Sequence, residues 1–151
     1  MPAFAAMTNE PGSHNMEAGK PDRSTSSAAE RAFYRAFADC DPQAMAAVWG
    51  QGEVVCVHPG AVPVIGREAV LRSWSGILEG VAALNLRVVL RSRSESGDLA
   101  VHLVEEHIAP AAGAPATLVL ATNVYRRGED GWRLQLHHAS VPAGADRSTL
   151  Q

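Results

Sequence analysis

The stretch NVYRRGEDGWRLQLHHAS, residues 123–140, predicts two β-strands joined by a tight turn. On either side of RGEDG, apolar and aromatic residues alternate with polar ones, which is typical of half-buried strands. Working outward, the same pattern predicts strands at 84–93, 99–109, 116–126 and 132–140, with the turn sequences SESGD and PAAGAP between the earlier ones. Each connection is short enough to join antiparallel neighbours. The second half of the chain therefore predicts a four-stranded antiparallel meander.

The first half predicts three helices and one short strand. Ser27 and Glu30 have the spacing of a capping box, and a helix follows whose apolar stripe is formed by Ala29, Phe33, Ala36, Phe37 and Cys40. Asp41 and Pro42 end this helix and begin a second one, with Asp41 as the N-cap. The buried side of the second helix is predicted to hold Met45, Val48 and Trp49.

The segment EVVCVHPG, residues 53–60, is rich in β-branched residues and predicts a strand that ends at Pro59 and Gly60. A third helix, REAVLRSWSGILEG, is predicted to end at Gly80 and to bury Val70, Trp74, Ile77 and Val81. The predicted fold class is α+β, a cone-shaped, curved, mixed or antiparallel sheet with the three helices of the N-terminal half packed on its concave face.

The length of 151 residues, 46% of them hydrophobic and 19% charged, fits one compact domain. We place that domain at residues 27–142. Residues 1–26, which include His14, are rich in Pro, Gly, Ser, Asn and Thr and are predicted to form a disordered tail. Residues 143–151 are predicted to form a flexible C-terminal tail.

The formal net charge of −3 and the lack of a basic cluster argue against nucleic acid and membrane surfaces as partners. A small molecule is the expected ligand. The only two cysteines, Cys40 and Cys56, lie among apolar residues without CxxC spacing, so we expect them to be reduced. The N-terminal segment resembles neither a secretory signal nor a membrane anchor, and a cytoplasmic location is expected.

Two adjacent histidines, His137 and His138, fall in the last predicted strand. Successive side chains of a strand point to opposite faces, so the two imidazoles cannot converge on one small ligand. His138 has the parity of Trp132, Leu134 and Leu136, which predicts that His138 faces the helices and that His137 faces outward. His138 is then either a site residue or a core imidazole with a hydrogen-bond partner.

No metal or cofactor is expected, because the sequence has no recognised ligand spacing, phosphate loop or nucleophile elbow. His102 and His107 have opposite parity in their strand. Glu105 and His107 share a face with Leu103, and if that face is inward, Glu105 is a candidate ligand-binding residue with His107 or Arg87 as its partner. If Leu103 faces outward, the pair is solvated.

Both faces of the strand at 116–126 are apolar. Leu118, Leu120 and Val124 alternate there with Val119, Ala121 and Tyr125. One face can meet the helices, and the other requires a second cover. A homodimer through the outer sheet face is therefore expected.

The order of these elements resembles the NTF2-like superfamily, in its SnoaL-like and ketosteroid-isomerase-like branch. The resemblance covers residues 27–142 and depends on AFYRAFADCDPQAMAAVW, VVCVHPG, GREAVLRSW, NVYRRGEDGWRL and the closing HHAS. It implies a cystatin-like α+β cone that encloses a pocket between sheet and helices, and it implies a dimer.

Ketosteroid isomerases use an Asp base and an oxyanion hole formed by a Tyr and a protonated Asp. The resemblance places the base position at His58 and the protonated Asp at Asn123, whose amide can donate a hydrogen bond without an abnormal pKa. The catalytic Tyr falls at or next to Phe33, with Tyr34 one residue further along the helix. This departure argues against steroid isomerisation.

The candidate catalytic residues are thus His58, Asn123 and His138, and the candidate ligand-binding residues are Tyr34, Trp49, Trp74 and Glu105. His58 shares its parity with Val54 and Cys56 and has an ordinary pKa of about 6.5, which suits proton transfer at neutral pH. Its alternatives are a structural role at the turn or an exposed strand end. Asn123 can equally bond a backbone group, and the tryptophans can simply be core.

Three functions remain open at this point. The first is an isomerase, cyclase or dehydratase that uses His58 as acid and base, with Asn123 and His138 as hydrogen-bond partners of an enolate-like intermediate. The second is a protein that binds a small molecule without transforming it. The third is a dimerising interaction domain with a filled pocket. Fold alone does not choose among them.

Overall fold

The computed structural model describes residues 20–144, which form three helices and one six-stranded sheet. In chain order the elements are α1 (Ser26–Ala38), α2 (Pro42–Val48), β1 (Val55–Val57), β2 (Val64–Ile65), α3 (Arg67–Leu78), β3 (Asn85–Ser96), β4 (Leu99–Ala109), β5 (Thr117–Gly128) and β6 (Gly131–Ser140). The predicted α+β class and the meander are confirmed, and β2 is an additional short strand. The predictions for residues 1–19, including His14, and for 145–151 lie outside the described residues.

The strand order in the sheet is β2-β1-β6-β5-β4-β3. All neighbours are antiparallel except β1 and β6, which run parallel, so the sheet is mixed. Two strands carry an extra residue, because Arg91 in β3 and Gln135 in β6 have no partner in the pairing register. Bulges of this kind bend a strand and increase its twist, which curves the sheet around the helices.

The N-cap of helix α1 lies two residues before Ser27, the predicted one. Its N-cap is Thr25, whose side-chain oxygen accepts a hydrogen bond from the Ala28 amide. The prediction that Ser27 and Glu30 cap the helix is wrong, since the Glu30 side chain is buried. Glu30 lies on the same helical face as Phe33, Tyr34 and Phe37, at spacings of three and four residues. The helix therefore carries a carboxylate into the interior.

The start of α2 is as predicted, because the Asp41 carboxylate accepts hydrogen bonds from the amides of Gln43 and Ala44. In α3 the buried residues are Val70, Trp74 and Leu78. The prediction that Ile77 and Val81 are buried is wrong, because both are exposed. Leu78, four residues after Trp74, takes the buried position instead.

Three arginines from distant parts of the chain converge on the C-terminal end of α2. Arg23 donates to the carbonyl oxygen of Ala47, and Arg67 donates to the carbonyl oxygens of Ala46, Trp49 and Gly50. Arg133 makes longer contacts with the carbonyls of Ala47 and Trp49. These carbonyls have no partner within the helix, and cations are favoured at its negative end. Through Arg23, the packed body begins before the predicted boundary at residue 27.

Candidate functional site

A row of polar side chains crosses the concave face of the sheet. The pairing register aligns Cys56 of β1 with His137 of β6, His137 with Asn123 of β5, and Asn123 with His102 of β4. All four side chains are buried. Buried polar groups are costly unless they are hydrogen-bonded, so this row needs partners from the helices above it.

Glu30 of α1 supplies one set of partners. Tyr125 donates to Glu30 Oε1 at 2.6 Å and the Asn123 amide donates to the same atom at 3.1 Å. His102 Nδ1 lies 3.0 Å from Glu30 Oε2 without forming a hydrogen bond with it. On its other side, His102 Nε2 contacts the Ser26 hydroxyl at 3.1 Å. One buried carboxylate thus joins α1 to two strands.

Tyr34, one helical turn after Glu30, joins the row to a second buried carboxylate. Its hydroxyl donates to Glu106 Oε2 at 2.6 Å and accepts from the Asn123 amide at 2.9 Å. The Asn123 carbonyl oxygen in turn accepts from His137 Nδ1 at 2.6 Å. His137 Nε2 lies 4.0 Å from Glu106 Oε2. Glu30, Tyr34, Glu106, Asn123 and His137 therefore form one continuous network, which we call the interior network.

Burial sets the protonation of this network. It raises the pKa of Glu106 to about 7, against the lowering effect of the Tyr34 hydrogen bond. It lowers the pKa of His137 to about 3, with nearby His58 adding to the effect, so this imidazole is neutral at physiological pH. The pKa values of both tyrosines are raised well above the ordinary range by burial and by the neighbouring carboxylates. Glu106 therefore changes charge near neutral pH.

His58 stands at the edge of the interior, immediately after β1. It is half-buried, its Nε2 contacts the Ser73 hydroxyl at 3.0 Å, and its ring lies 5.0 Å from that of Trp74. The Cys56 thiol is 3.6 Å from the same nitrogen, and burial raises its pKa to about 12, so it is no nucleophile. Burial also lowers the pKa of His58, which leaves the imidazole neutral and able to accept a proton.

Both tryptophans are fully buried and pack around Phe33, with ring centroids 6.3 Å away for Trp49 and 5.6 Å away for Trp74. Trp74 also contacts His137 at 5.8 Å, so it lies between the two imidazoles at 58 and 137. The Trp74 indole N–H has no oxygen or nitrogen acceptor among the described residues and interacts only with the weakly accepting Cys56 thiol. A buried donor of this kind is available to a ligand.

The structure corrects the predicted orientation of the histidine pair. His138 is exposed on the outer face, whereas His137 is buried beside Asn123. The two side chains do point to opposite faces, as predicted. The assignment of faces was wrong because the bulge at Gln135 shifts the alternation by one residue between Leu134 and Leu136.

Glu105 is also placed outside the interior. Leu103 is 39% exposed, and Glu105 on the same face pairs with Arg91 at 3.4 Å and His107 at 3.2 Å. The inward carboxylate of this strand is Glu106. The sequence held a signal for it, since His102 and Glu106 share their parity with the apolar residues Ala100, Val104 and Ile108.

Of the predicted residues, the structure thus brings together Tyr34, Asn123, Trp74 and His58, whereas Glu105 and His138 lie on the opposite face. The prediction missed Glu30, His102, Glu106, Tyr125 and His137. Among residues 20–144, no group of three or more His, Cys, Asp or Glu side chains is arranged to hold a metal ion. Within the same residues, no helix is long and apolar enough to cross a bilayer.

A separate groove of about 500 Å³ lies on the surface, between the loop before β1 and the β5–β6 hairpin. It is lined by residues such as Gly50, Glu53, Arg126, Asp130 and Arg133, and none of the predicted site residues borders it. Both acidic and basic side chains line it. Since no member of the interior network lines the groove, the groove is distinct from that network.

Comparison with known proteins agrees with this architecture. The family model of the SnoaL-like domain matches residues 27–144. A protein from Thiobacillus denitrificans, assigned as a calcium/calmodulin-dependent protein kinase type II association domain, is 39% identical, with a TM-score of 0.76 over 82% of this chain and 99% of that one. An NTF2-like family protein from Streptomyces avermitilis, assigned as a dehydratase, is 34% identical, with a TM-score of 0.68 over 77% of this chain and 92% of that one.

A ketosteroid isomerase-like protein from Erwinia carotovora atroseptica has the same fold at 17% identity, with a TM-score of 0.66 over 79% of this chain and 95% of that one. A search of curated proteins gave no match. The family model covers more than two thirds of the chain. The chain belongs to the SnoaL-like domain family of the NTF2-like superfamily.

Proposed function

We propose that this protein binds a small enolisable molecule in its concave interior and transfers a proton to and from it through His58. The observation that carries the proposal is the position of His58, a half-buried neutral imidazole at the edge of an interior that holds buried hydrogen-bond donors. A base of this kind needs a substrate C–H within reach and a donor for the enolate oxygen. The Trp74 indole, whose ring lies 5.0 Å from that of His58, is such a donor.

Access to this interior is supported by the pattern of burial on the concave face. Leu86 and Ile108 are paired in the sheet and have the same parity as Val88 and Glu106, which are fully buried. Leu86 and Ile108 are only half-buried, so the helices leave this end of the concave face partly uncovered. The two rows are about 7 Å apart along the strands. A ligand that enters there passes apolar side chains before it reaches Tyr34 and Glu106, which suits an apolar molecule with one polar end.

The dehydratase assignment of the Streptomyces relative supports the same class of chemistry, since dehydration beside a carbonyl begins with removal of a proton. The chemistry expected of this chain is therefore isomerisation, cyclisation or dehydration of an enone, β-keto or polyketide-like compound. No cofactor is needed for such a proton transfer, because the imidazole accepts the proton and returns it to the same substrate.

A second function, assembly through the outer sheet face, has its own support. Val101 and Leu103 are 42% and 39% exposed, and the register places Val101 in one row with Val124, Leu136 and Val55. A contiguous apolar row on a sheet face is typical of an interface. The association-domain assignment of the Thiobacillus relative is in line with this role. We propose a homodimer whose two copies pack through this face, with the interior open to a ligand in each copy.

Hydrogen–deuterium exchange tests the catalytic proposal without a known substrate. Cyclic enones and β-keto esters are incubated with the protein in D2O, and deuterium incorporation next to the carbonyl is followed by mass spectrometry. We expect incorporation above the buffer rate, and a loss of at least about 100-fold in His58→Gln, which is the range typical of removing a general base. The matched control is His138→Gln, an exposed histidine on the other face, which retains exchange. Equal rates in both variants would remove His58 from the mechanism.

A further inference from the structure

The interior network contains a conflict with the proposed chemistry. In the structure the Tyr34 hydroxyl hydrogen is donated to Glu106 Oε2 at 2.6 Å, so it is not directed at a ligand. The Tyr34 oxygen already accepts from the Asn123 amide at 2.9 Å. A phenol has one hydrogen to donate and two lone pairs to accept with. The hydrogen becomes available only if Glu106 ceases to be the acceptor.

We propose that Glu106 is a positioning residue for Tyr34, and that uptake of one proton by Glu106 reverses their hydrogen bond and turns the Tyr34 O–H toward the oxyanion of a bound ligand. The inference deepens the proposed function and rests on it. When Glu106 is protonated, its O–H donates to the Tyr34 oxygen, whose second lone pair still accepts from Asn123. One proton is taken from solvent and none is lost, so the phenol remains neutral throughout.

The surroundings of Glu106 make it the group that responds near neutral pH. Burial raises its pKa to about 7. Titratable groups face Glu106 or its network from four other elements, from its own strand and from the residue after β1. They are Glu30 and Tyr34 on α1, Cys56 on β1, His58 immediately after β1, Tyr125 on β5, His137 on β6 and His102 on β4.

Most of these groups do not change charge in the same range. The pKa of His137 is lowered to about 3, that of Cys56 is raised to about 12, and those of both tyrosines are raised well above the ordinary range. Glu30 and His102 contact each other on the far side of Asn123. Any pH effect of Glu30 and His102 is present both in Glu106→Gln and in the unchanged protein. The difference between these two proteins therefore isolates the effect of Glu106.

The composition of the chain allows a direct readout that needs no ligand. Tyr34 and Tyr125 are the only tyrosines in the sequence, so tyrosine labelled with ¹³C at Cζ gives two NMR signals, which Tyr125→Phe assigns. We expect the Tyr34 signal to titrate in one step near pH 7. The step is absent in Glu106→Gln and is retained in Glu105→Gln, the adjacent glutamate that faces outward. A step that persists in Glu106→Gln overturns the inference.

Ligand binding tests whether Glu106 controls the affinity of the interior for an oxyanion. The probe is 2,4-dinitrophenolate, an oxyanion that stays ionised between pH 6.5 and 8.5, and its affinity is measured by calorimetry. We expect the affinity of the unchanged protein to fall by up to tenfold per pH unit above pH 7, because binding takes up one proton. Glu106→Gln binds with the low-pH affinity throughout, since its amide can donate to the Tyr34 oxygen as the protonated acid does. Glu105→Gln keeps the slope.

Each outcome has one meaning. If the probe does not bind at any pH, an oxyanion does not enter the interior, and the proposed function fails. If the probe binds but the slope is absent, or if Glu106→Gln keeps it, the proposed function stands and the inference about Glu106 is overturned. Tyr34→Phe separates hydrogen-bond reversal from a simple change of field, and it also decides if Glu106→Gln fails to fold. Under reversal, the affinity without the phenol is low and independent of pH, whereas a slope that persists in Tyr34→Phe shows repulsion by the Glu106 charge and overturns the inference.

Discussion

Gly131 is the residue where the segment before α1 crosses the β5–β6 hairpin. The Arg23 carbonyl accepts a hydrogen bond from the Trp132 amide, and a Cβ at position 131 would meet that carbonyl oxygen. The φ of Gly131 is +103°, a conformation that residues with a side chain rarely adopt. We therefore expect Gly131→Ala to lower the free energy of unfolding by about 1–3 kcal/mol, measured by urea denaturation. Gly128→Ala, at the other end of the turn and with open space around it, is the control; equal losses would contradict the steric argument.

Glu106 and His137 give the stability opposite dependences on pH. The pKa of Glu106 is raised from 4.5 to about 7, so its contribution to stability is present below pH 4.5 and is lost as the pH rises through 7. The pKa of His137 is lowered from 6.5 to about 3, so its contribution is present above pH 6.5 and is lost as the pH falls toward 3. Between pH 4.5 and 6.5 the two slopes offset each other.

Single substitutions test the pH dependence that each residue gives to the free energy of unfolding. The free energy of unfolding of Glu106→Gln, minus that of the unchanged protein, is expected to rise by up to about 1.4 kcal/mol per pH unit between pH 4.5 and 7. For His137→Gln the same difference is expected to fall with pH between 3 and 6.5. Urea denaturation near pH 5 and pH 6.5 measures both. Differences that stay constant with pH would show that neither group is perturbed in the folded state.

At the scale of elements, β6 shows what periodicity can predict and what it cannot. Alternation located the strand and showed that the two histidines face opposite sides. It assigned the wrong histidine to the interior because Gln135 adds one residue that the partner strand does not match. A bulge at a half-buried polar residue has no distinct sequence pattern. Asn123 lies on β5, which has no extra residue, and His58 directly follows β1, so the inward parity of both could be predicted.

Removal of the bulge residue gives a test of this explanation. Deleting Gln135 leaves Leu134 inward, Leu136 outward and His137 inward, so the alternation becomes regular and the interior network is kept. We expect this variant to fold with a Tm lowered by only a few degrees, in line with a loss of about 1 kcal/mol. Deleting Thr122, an outer-face residue of β5 without a bulge, should prevent folding, because it turns the residues beyond it to the wrong face. The thermal unfolding of the two variants is compared by circular dichroism. An equal loss of folded structure in both would contradict the explanation that Gln135 is the extra residue of a bulge.

At the scale of the whole molecule, the fold could be predicted because it depends on the order and spacing of many elements, which single errors do not change. The network could be predicted only in part, because its members meet across the fold. Glu30 and Glu106 are 76 positions apart in sequence yet are joined through Tyr34 and Asn123. Sequence periodicity indicates which face a residue is on, but it does not say which residues of different elements will touch.

The outer face of the sheet is the surface through which we expect the homodimer to form. Val101, Val124, Leu136 and Val55 form an apolar row there, and a glutamate in place of Val101 would put a charge into the row of each copy. Burying two unpaired carboxylates is costly, so we expect Val101→Glu to weaken dimerisation at least about tenfold, measured by sedimentation velocity. Val62→Glu is the matched control, because Val62 is 77% exposed in the loop between β1 and β2 and its variant should remain dimeric. The dimer proposal is wrong if the unchanged protein sediments as a monomer at every concentration. If Val101→Glu is as dimeric as the control, the dimer interface does not include this apolar row.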